Sequence, residues 1–275
     1  MQSSDVSESA PVPKVRAPKI KLDDRIPRDW LAGSASATQI ANGVNLLFPA
    51  GERFFIRSVR RYLDRIDDEA LRRQIKGFFG QEGRHAHAHE TFFEVLESQG
   101  YRLRPFLDIY EKVAFDWIEQ AAPHELRLAV TVALEHFTAI MAENALTERF
   151  LDHAHPSMRA LLLWHAAEEI EHKAVAFDVL RVVNPSYALR MGGLALAALS
   201  LGVAWTAATL TLAAQDGQLQ NGRFFQGWRK VRASRPGKRG VFLRGIREYV
   251  RPDFHPSHND NRHLADAFLQ SAGLA

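Results

Sequence analysis

Residues 164–178 constrain the fold more than any other stretch, because they have the composition of a helix and carry three side chains that can bind a metal. The stretch contains no Gly or Pro and is rich in Ala, as stable helices are. At about 100° per residue, Glu169 and His172 lie roughly 60° apart on a helix, and His165 falls between them. The sequence therefore predicts a helix that places all three side chains on one narrow stripe.

An earlier stretch, residues 81–90 (QEGRHAHAHE), has the same Glu-x-x-His spacing. If it is helical, Glu82 and His85 share one face, His89 lies on the same stripe, and His87 points away. One such pair is a weak signal, since Glu and His are common on helices. Two pairs in one chain predict two helices that face a common site.

Each pair also has a glutamate at the spacing of an antiparallel partner helix. Glu52 lies 30 residues before Glu82, and Glu135 lies 34 residues before Glu169. Each separation suits one helix, a turn and an antiparallel return. The order Glu, Glu-x-x-His, Glu, Glu-x-x-His predicts a site for two metal ions between four helices.

The residue types suit such a site because of their charge and ligand chemistry. Two ferrous or manganous ions bring four positive charges, which four carboxylates neutralise, and neutral imidazoles are ligands that suit iron. The alternative is a set of exposed helical charges with an ordinary core histidine. Buried glutamate is rare unless it is paired or bound to a metal, and this favours the metal site if the four glutamates are buried.

The order of these residues resembles that of the ferritin-like, carboxylate-bridged di-iron proteins. The resemblance implies an all-α fold, a ferritin-like four-helix bundle with extra helices. His165, four residues before Glu169, resembles the additional histidine ligand of the p-aminobenzoate N-oxygenase type of di-iron enzyme. By analogy, Glu82 and Glu169 would bridge the two ions. The ligand set that the resemblance implies is Glu52, Glu82, His85, Glu135, His165, Glu169 and His172.

Three runs are more closely similar to a bacterial family of predicted metal-dependent hydrolases. They are FPAGERFF at residues 48–55, WHAAEEIEHK at residues 164–173 and RPDFHP at residues 251–256. The resemblance extends from about residue 27 to about residue 264. The implied hydrolase activity comes from the family's name, because the quoted residues carry no hydrolase chemistry of their own.

Three functions are compatible with a binuclear site of this kind. The first expectation is a di-iron oxidoreductase that uses O2 to oxidise an apolar organic substrate, with manganese or zinc as alternatives to iron. It would need an external electron donor, because the chain has no flavin or nicotinamide glycine fingerprint. The second is a metal-dependent hydrolase that uses a water activated by two metals. The third is a metal-storage protein without turnover.

Composition divides the chain into four parts. Residues 1–25 are polar and predict a disordered tail, because they cannot bury enough apolar surface to fold. Residues 26–185 would form the metal-binding bundle, residues 186–215 a hydrophobic helix or membrane-contact element, and residues 216–275 a basic C-terminal segment. We expect the three histidines near the end of that segment to lie in a polar loop.

Residues 191–214 hold no charged side chain and would span about 36 Å as a helix, enough for a bilayer. The start of the chain has no secretory signal, and residues 216–251 hold ten Lys and Arg against two acids, a net of 10 − 2 = +8. Both flanks are therefore expected on the cytoplasmic side. The helix would be a re-entrant or interfacial membrane element, or else a helix buried against the bundle.

The expected location is the cytoplasm, on or partly in the inner face of the cell membrane. The basic segment would contact anionic lipid head groups, with RNA as the alternative for that segment alone. The basic character is confined to that segment, so no general nucleic-acid binding is expected. The other expected partners are an apolar small-molecule substrate, O2 and an electron donor. The sequence also allows a homodimer. The chain has no cysteine, which excludes disulfides and thiolate metal sites.

Overall fold

The computed structural model describes residues 11–233 and 241–275, and within these ranges the chain is helical and has no strand. Leu31 and Ala154 form an isolated antiparallel bridge. The all-α prediction is therefore confirmed. The helices are α1 (Ala35–Asn45), α2 (Phe48–Arg60), α3 (Glu69–Ser98), α4 (Arg104–Glu111), a π-helix (Lys112–Glu119), α5 (His124–Thr147), α6 (Pro156–His172), α7 (Val175–Val183), α8 (Tyr187–Gln215), α9 (Arg223–Ala233), α10 (Val241–Tyr249) and α11 (Arg262–Ser271).

The long helices begin where the sequence provides a helix start. The side chain of Asp68 caps α3 by accepting hydrogen bonds from the backbone N–H groups of Ala70 at 2.7 Å and Leu71 at 3.2 Å. Pro123 immediately precedes α5, and Pro156 is the first residue of α6. The sequence predicts a helix start at each of these three places, and all three are confirmed.

Two predicted helices are interrupted. The sequence predicts one helix from residue 156 to about residue 184, but α6 ends at His172 and α7 begins at Val175. At the break, the Lys173 ammonium donates hydrogen bonds to the Asn259 carbonyl and to Asn261 Oδ1, both at 2.5 Å, and so ties the bundle to the segment before α11. Residues 105–120, predicted as one helix, instead pass from α4 into the π-helix, a wider winding that is frequent at functional sites.

The helices that carry the predicted ligands are α2, α3, α5 and α6. Helix α2 packs on α3, α5 packs against α6, α7 and α8, and α1 lies along α8. A ferritin-like topology for the four ligand-bearing helices stays an expectation. Their positions nevertheless bring one face of each toward a common interior.

Buried apolar side chains form two clusters, and histidines predicted as ligands contact both of them. The ring of Trp164, in the first cluster, lies 4.9 Å from the ring of His85. The ring of Phe78, in the second, lies 5.0 Å from the ring of His172. The imidazoles are thus held inside the apolar core, where water is excluded and an unpaired polar atom is costly.

The segment before α1 differs from the predicted disordered tail. Residues 11–25, here called the N-terminal strap, lie across α3 without forming a helix. A side chain at Gly77 would meet the Pro13 carbonyl oxygen at 2.4 Å, and one at Gly80 would meet a methyl of Val15 at 2.3 Å. These glycines let the strap contact the helix backbone, and Arg16 of the strap is only 9 % exposed. The prediction for residues 1–10 concerns positions outside the described residues.

Helix α8 is long and apolar enough to cross a membrane by length and composition, the only such helix among the described residues. Only 28 % of its most apolar 18-residue window is buried, because α8 packs on α5 and α1 with one side only. The other side exposes Leu199 at 65 % and Val203 at 62 %. The helix is thus neither fully buried nor detached from the body, and membrane contact stays a prediction.

Candidate metal centre

The seven side chains predicted as ligands converge in the interior of the protein. None is more than 4 % exposed. Helix α2 supplies one, α3 two, α5 one and α6 three, because the helical periodicity turns the same face of each helix inward. The converging side chains are Glu52, Glu82, His85, Glu135, His165, Glu169 and His172.

One half of the centre is arranged around His172. Its Nε2 atom lies 3.0 Å from Glu82 Oε1, 3.5 Å from Glu135 Oε2 and 3.4 Å from Glu169 Oε1. Ligating atoms of Glu82, Glu135 and His172 all lie within 4.8 Å of one another. This half therefore offers two carboxylates and one imidazole to a single ion, with a third carboxylate adjacent.

The other half is arranged around His85 and His165. Nε2 of His165 lies 2.9 Å from Glu169 Oε1 and 3.7 Å from Glu52 Oε1, and Nδ1 of His85 lies 3.6 Å from Glu169 Oε1. Glu52, Glu82 and His85 also form a group with ligating atoms within 4.8 Å. Glu82 and Glu169 thus have contacts in both halves, as bridging carboxylates require.

His89 joins the centre beside the predicted ligands. It is fully buried on α3, and its Nε2 lies 2.7 Å from His165 Nδ1, so that one of the two rings donates to the other. Ligating atoms of His89, Glu52 and His165 also lie within 4.8 Å of one another. His89 either orients His165 or adds a further ligand, and its place on the helical stripe is the sequence signal for it. His87, expected to point away, is exposed.

Many of the atoms that face the centre have no hydrogen bond among the described residues. Both carboxylate oxygens of Glu52, Glu82 and Glu135 lack a hydrogen bond, as do Nδ1 of His85 and Nε2 of His172. Leaving one buried polar atom unsatisfied costs about 1–3 kcal/mol, and more if it is charged. Metal ligation would satisfy all of these atoms at once, so the residues present fit a metal centre.

Electrostatics points to the same conclusion. Burial, and then repulsion from Glu82, raises the pKa of Glu52 and of Glu135 well above the usual value. Burial also opposes ionisation of Glu169, but the adjacent His172 and His165 outweigh it and lower the pKa of Glu169. Four carboxylates this close are stable as anions only beside compensating cations, which two divalent ions would supply.

Burial also keeps two of the imidazoles neutral, by lowering the pKa of His85 and of His89 well below its ordinary value. The neutral form is the one that ligates a metal. Nε2 of His85 donates to Glu168 Oε2 at 2.9 Å, and Nδ1 of His172 donates to Gln81 Oε1 at 2.8 Å. These bonds leave Nδ1 of His85 and Nε2 of His172 to face the centre, the outer-sphere arrangement usual for metal-binding histidines.

Arg16 of the N-terminal strap links these outer-sphere groups. It donates to Glu168 Oε1 at 3.2 Å and to both oxygens of Glu171, at 2.7 and 3.0 Å. Gln81 donates in turn to Glu171 Oε2 at 2.7 Å. Sequence reasoning missed this network: the acids stand on either side of Glu169, but nothing in the polar N-terminal composition marks Arg16 as buried.

The C-terminal histidines do not reach the centre. His255 pairs with Asp178 Oδ1 at 2.9 Å and accepts a hydrogen bond from the Ser257 backbone at 3.2 Å. His258 accepts a hydrogen bond from the His255 backbone N–H at 3.3 Å, and His263 is exposed. These contacts order the loop before α11, in agreement with the expectation of a polar loop.

Two cavities extend from the centre. The first, here the α8 cavity, has a volume of about 120 Å³ and runs between α2, the π-helix, α5 and α8, with Glu52 in its wall. The second, the α1 cavity, has a volume of about 510 Å³ and is lined by His165 and Glu169 among others. Phe48 lines both, and its ring lies 4.7 Å from that of His165.

A family model described as "predicted metal-dependent hydrolase" matches residues 14–260. The match covers nearly the whole chain, so the resemblance seen in the three sequence runs is confirmed. Its description agrees with the hydrolase alternative better than with an oxygenase. No curated protein and no solved structure gives a significant match.

Proposed function

The chain belongs to the family of predicted metal-dependent hydrolases, and we propose that it is an enzyme with a binuclear iron centre that oxidises an apolar organic substrate with O2. Metal dependence itself is indicated by the family and by the His and Glu clusters. The number of ions, their identity and the reaction are the proposal. The observation that carries it is the meeting of four buried glutamates with the imidazoles of two Glu-x-x-His helices.

The ligand chemistry favours iron. Carboxylates suit hard divalent cations, and imidazoles suit iron, copper, nickel and zinc, so a mixed set of four glutamates and three histidines is well matched to iron. Two divalent ions balance the four carboxylates, and the neutral histidines add no charge. Bound iron would supply the reduction of O2 and hence the oxidising power of the reaction.

The surroundings favour oxidation of an apolar substrate. The ring of Phe48 lies 4.7 Å from the rings of both His89 and His165, where it excludes water from the centre. The α8 cavity next to Glu52 is lined mostly by apolar side chains. Glu168 and Gln81 fix the orientation of the His85 and His172 imidazoles, which would hold the metal ions. An external donor would supply the electrons.

Hydrolysis is the second candidate, and the family's description favours it. Two metals in one site lower the pKa of a shared water, which can then attack an ester or a phosphoester. The centre described here would accommodate two zinc or manganese ions for this purpose. Hydrolysis would need no electron donor and no O2.

The two candidates differ in what the purified protein consumes. Under the proposal, protein that retains its own metal takes up O2 when given a reductant, and uptake rises with an apolar substrate. Turnover of a chromogenic ester with zinc or manganese, without O2 uptake, would contradict oxidation and support the hydrolase. Bound iron with neither activity would contradict both and support storage.

A further inference from the structure

We propose that the α8 cavity binds an aliphatic chain that ends in a carboxylate, with the carboxylate at Arg127 and the chain directed toward Glu52. The inference rests on the proposed function, because it names the substrate class of the same centre. It goes beyond an apolar substrate by assigning a head group, a direction and a recognising residue. It follows from the shape of the cavity, its lining and the charges along its wall.

The cavity is elongated. Arg127, Val130, Leu134, Thr138 and Met141 all line it, and their spacing of three or four residues places them on one face of α5. From the first to the last, this stripe extends about 21 Å along the helix axis at a rise of 1.5 Å per residue. A linear chain can lie along such a stripe over its whole length, whereas a compact ligand would occupy only part of it.

The opposite walls are apolar over most of their surface. Helix α8 contributes Leu196, Leu201 and Ala204, and the π-helix contributes Phe115 and Ile118. Such walls favour methylene groups, which gain about 0.8 kcal/mol each on leaving water.

Only three of the residues that line the cavity carry a charge: Glu52, Glu119 and Arg127. Glu52 belongs to the metal centre. Glu119 is neutralised by Arg57, which donates to its two oxygens at 2.6 and 3.2 Å. The charge that remains in the wall away from the metal centre is therefore the positive charge of Arg127.

Arg127 is placed to receive an anion. Its guanidinium donates to the backbone carbonyls of Ala122 at 2.9 Å and Gln120 at 3.2 Å, and it has no ion pair with any carboxylate of the described residues. A guanidinium held this way is oriented but not neutralised, and it binds carboxylates well. Arg127 lies eight residues before Glu135 on α5, about 12 Å along the axis. A carboxylate bound at Arg127 would thus lie at one end of the α5 stripe, while the chain extends along it toward the metal ligands.

The direct test is calorimetric titration of the metal-loaded protein with dodecanoate, dodecan-1-ol and dodecylamine, below their aggregation concentrations. We expect dodecanoate to bind at one site and more tightly than the other two. Arg127→Gln should weaken dodecanoate binding at least tenfold, as expected for the loss of a charge-assisted contact, and should leave dodecan-1-ol within about twofold. Circular dichroism and metal content verify that the variant is folded.

Gly51 offers a second test, because it lines the cavity beside Glu52 and a side chain added there meets open space. Gly51→Phe should fill the cavity and abolish binding of both dodecanoate and dodecan-1-ol. Gly83→Phe is the matched control: Gly83 is also helical and next to a predicted ligand, but it is exposed on α3 with open space around it. This control should bind like the unmodified protein.

Three results would overturn the inference: no saturable binding of dodecanoate, equal binding of the acid and the alcohol, or unchanged binding in Gly51→Phe. None of these measurements depends on turnover. A protein that retains its iron and takes up O2 but fails them would refute the carboxylate assignment alone. A protein that binds dodecanoate in this cavity but holds no metal would refute the proposed function alone.

Discussion

Glu169 has the most central position of the candidate centre. Its Oε1 lies 2.9 Å from His165 Nε2, 3.4 Å from His172 Nε2 and 3.6 Å from His85 Nδ1. Helical spacing alone predicted that His165, Glu169 and His172 would meet, since residues three and four apart share a face; His85 comes from α3. Spacing could not predict the role of Gln81, because its contact with His172 joins two helices 91 residues apart in sequence.

At the residue scale, removing a side chain of the centre should lower metal content. His165→Ala and Glu169→Ala should each reduce the metal bound per chain, because each removes a ligating atom from the buried group. His87→Ala is the control, since His87 is exposed and should retain metal. Elemental analysis of the purified variants measures this. Full metal content in both His165→Ala and Glu169→Ala would reject these two ligands.

Gln81 should matter to metal affinity although it does not face the ions. Gln81→Leu keeps the approximate volume but removes the oxygen that accepts the His172 Nδ1 proton. Loss of such an orienting partner weakens metal binding by about 10–100-fold. Competition with a coloured chelator measures the affinity, and Gln270→Leu, at an exposed position of α11, is the control. Equal affinities in the two variants would show that Gln81 does not orient His172.

At the element scale, local signals predicted the starts of α3, α5 and α6, but not where helices break. The starts of α3 at Asp68 and of α5 at Pro123 depend only on residues that are neighbours in the sequence. At the break after His172, the Lys173 ammonium contacts Asn259 and Asn261, more than 80 residues later, and such contacts leave no local signal in the sequence. The N-terminal strap was missed for the same reason, because it is held by residues distant in sequence, in α3, in α6 and at the C-terminal end.

Two glycines of α3 test whether the N-terminal strap contacts the backbone of this helix. Gly77→Ala should destabilise the fold by roughly 1–3 kcal/mol, because its methyl group would meet the Pro13 backbone. Gly83→Ala should instead stabilise the fold by up to about 1 kcal/mol, since alanine is the better helix former and the space there is open. Urea unfolding measures both. Equal effects would mean that the strap does not contact the backbone at Gly77.

The contact of α10 with α5 should make stability depend on pH. His136 pairs through Nε2 with the Gly245 carbonyl at 2.8 Å, and burial lowers the pKa of His136 to about 4. The unfolded chain takes up this proton near its ordinary pKa of about 6.5. The contribution of the neutral His136 side chain to the free energy of unfolding is therefore fully present above about pH 6.5. It is lost as the pH falls toward 4, by up to about 3 kcal/mol.

His136→Gln isolates that contribution from those of the other titrating groups. Urea unfolding at neutral and acidic pH should show a smaller loss of stability for His136→Gln than for the unmodified protein. An identical pH dependence in the two proteins would contradict the assignment.

At the scale of the whole molecule, the sequence predicted an all-α protein with one strongly hydrophobic helix, and both features are present among the described residues. Composition could not decide how α8 packs, because an apolar helix satisfies a membrane and a protein core equally well. In the structure one side of α8 lies on α5 and α1, and the other exposes Leu199 and Val203.

That exposed side predicts contact with a lipid surface. We expect the protein to sediment with membranes and to resist release by salt, since apolar contacts are not screened. Leu199→Ser combined with Val203→Ser should shift it toward the soluble fraction, because both side chains are exposed and their removal leaves the core intact. Carbonate-wash fractionation measures the distribution. Complete recovery of the unmodified protein in the soluble fraction would contradict the prediction.

The central claim is that the buried glutamates and histidines of α2, α3, α5 and α6 hold two iron ions. It is tested most directly by elemental analysis and Mössbauer spectroscopy of protein purified without added metal. The claim predicts two irons per chain, with spectra of a coupled pair. One iron or none per chain, or two equivalents of zinc in place of iron, would contradict it.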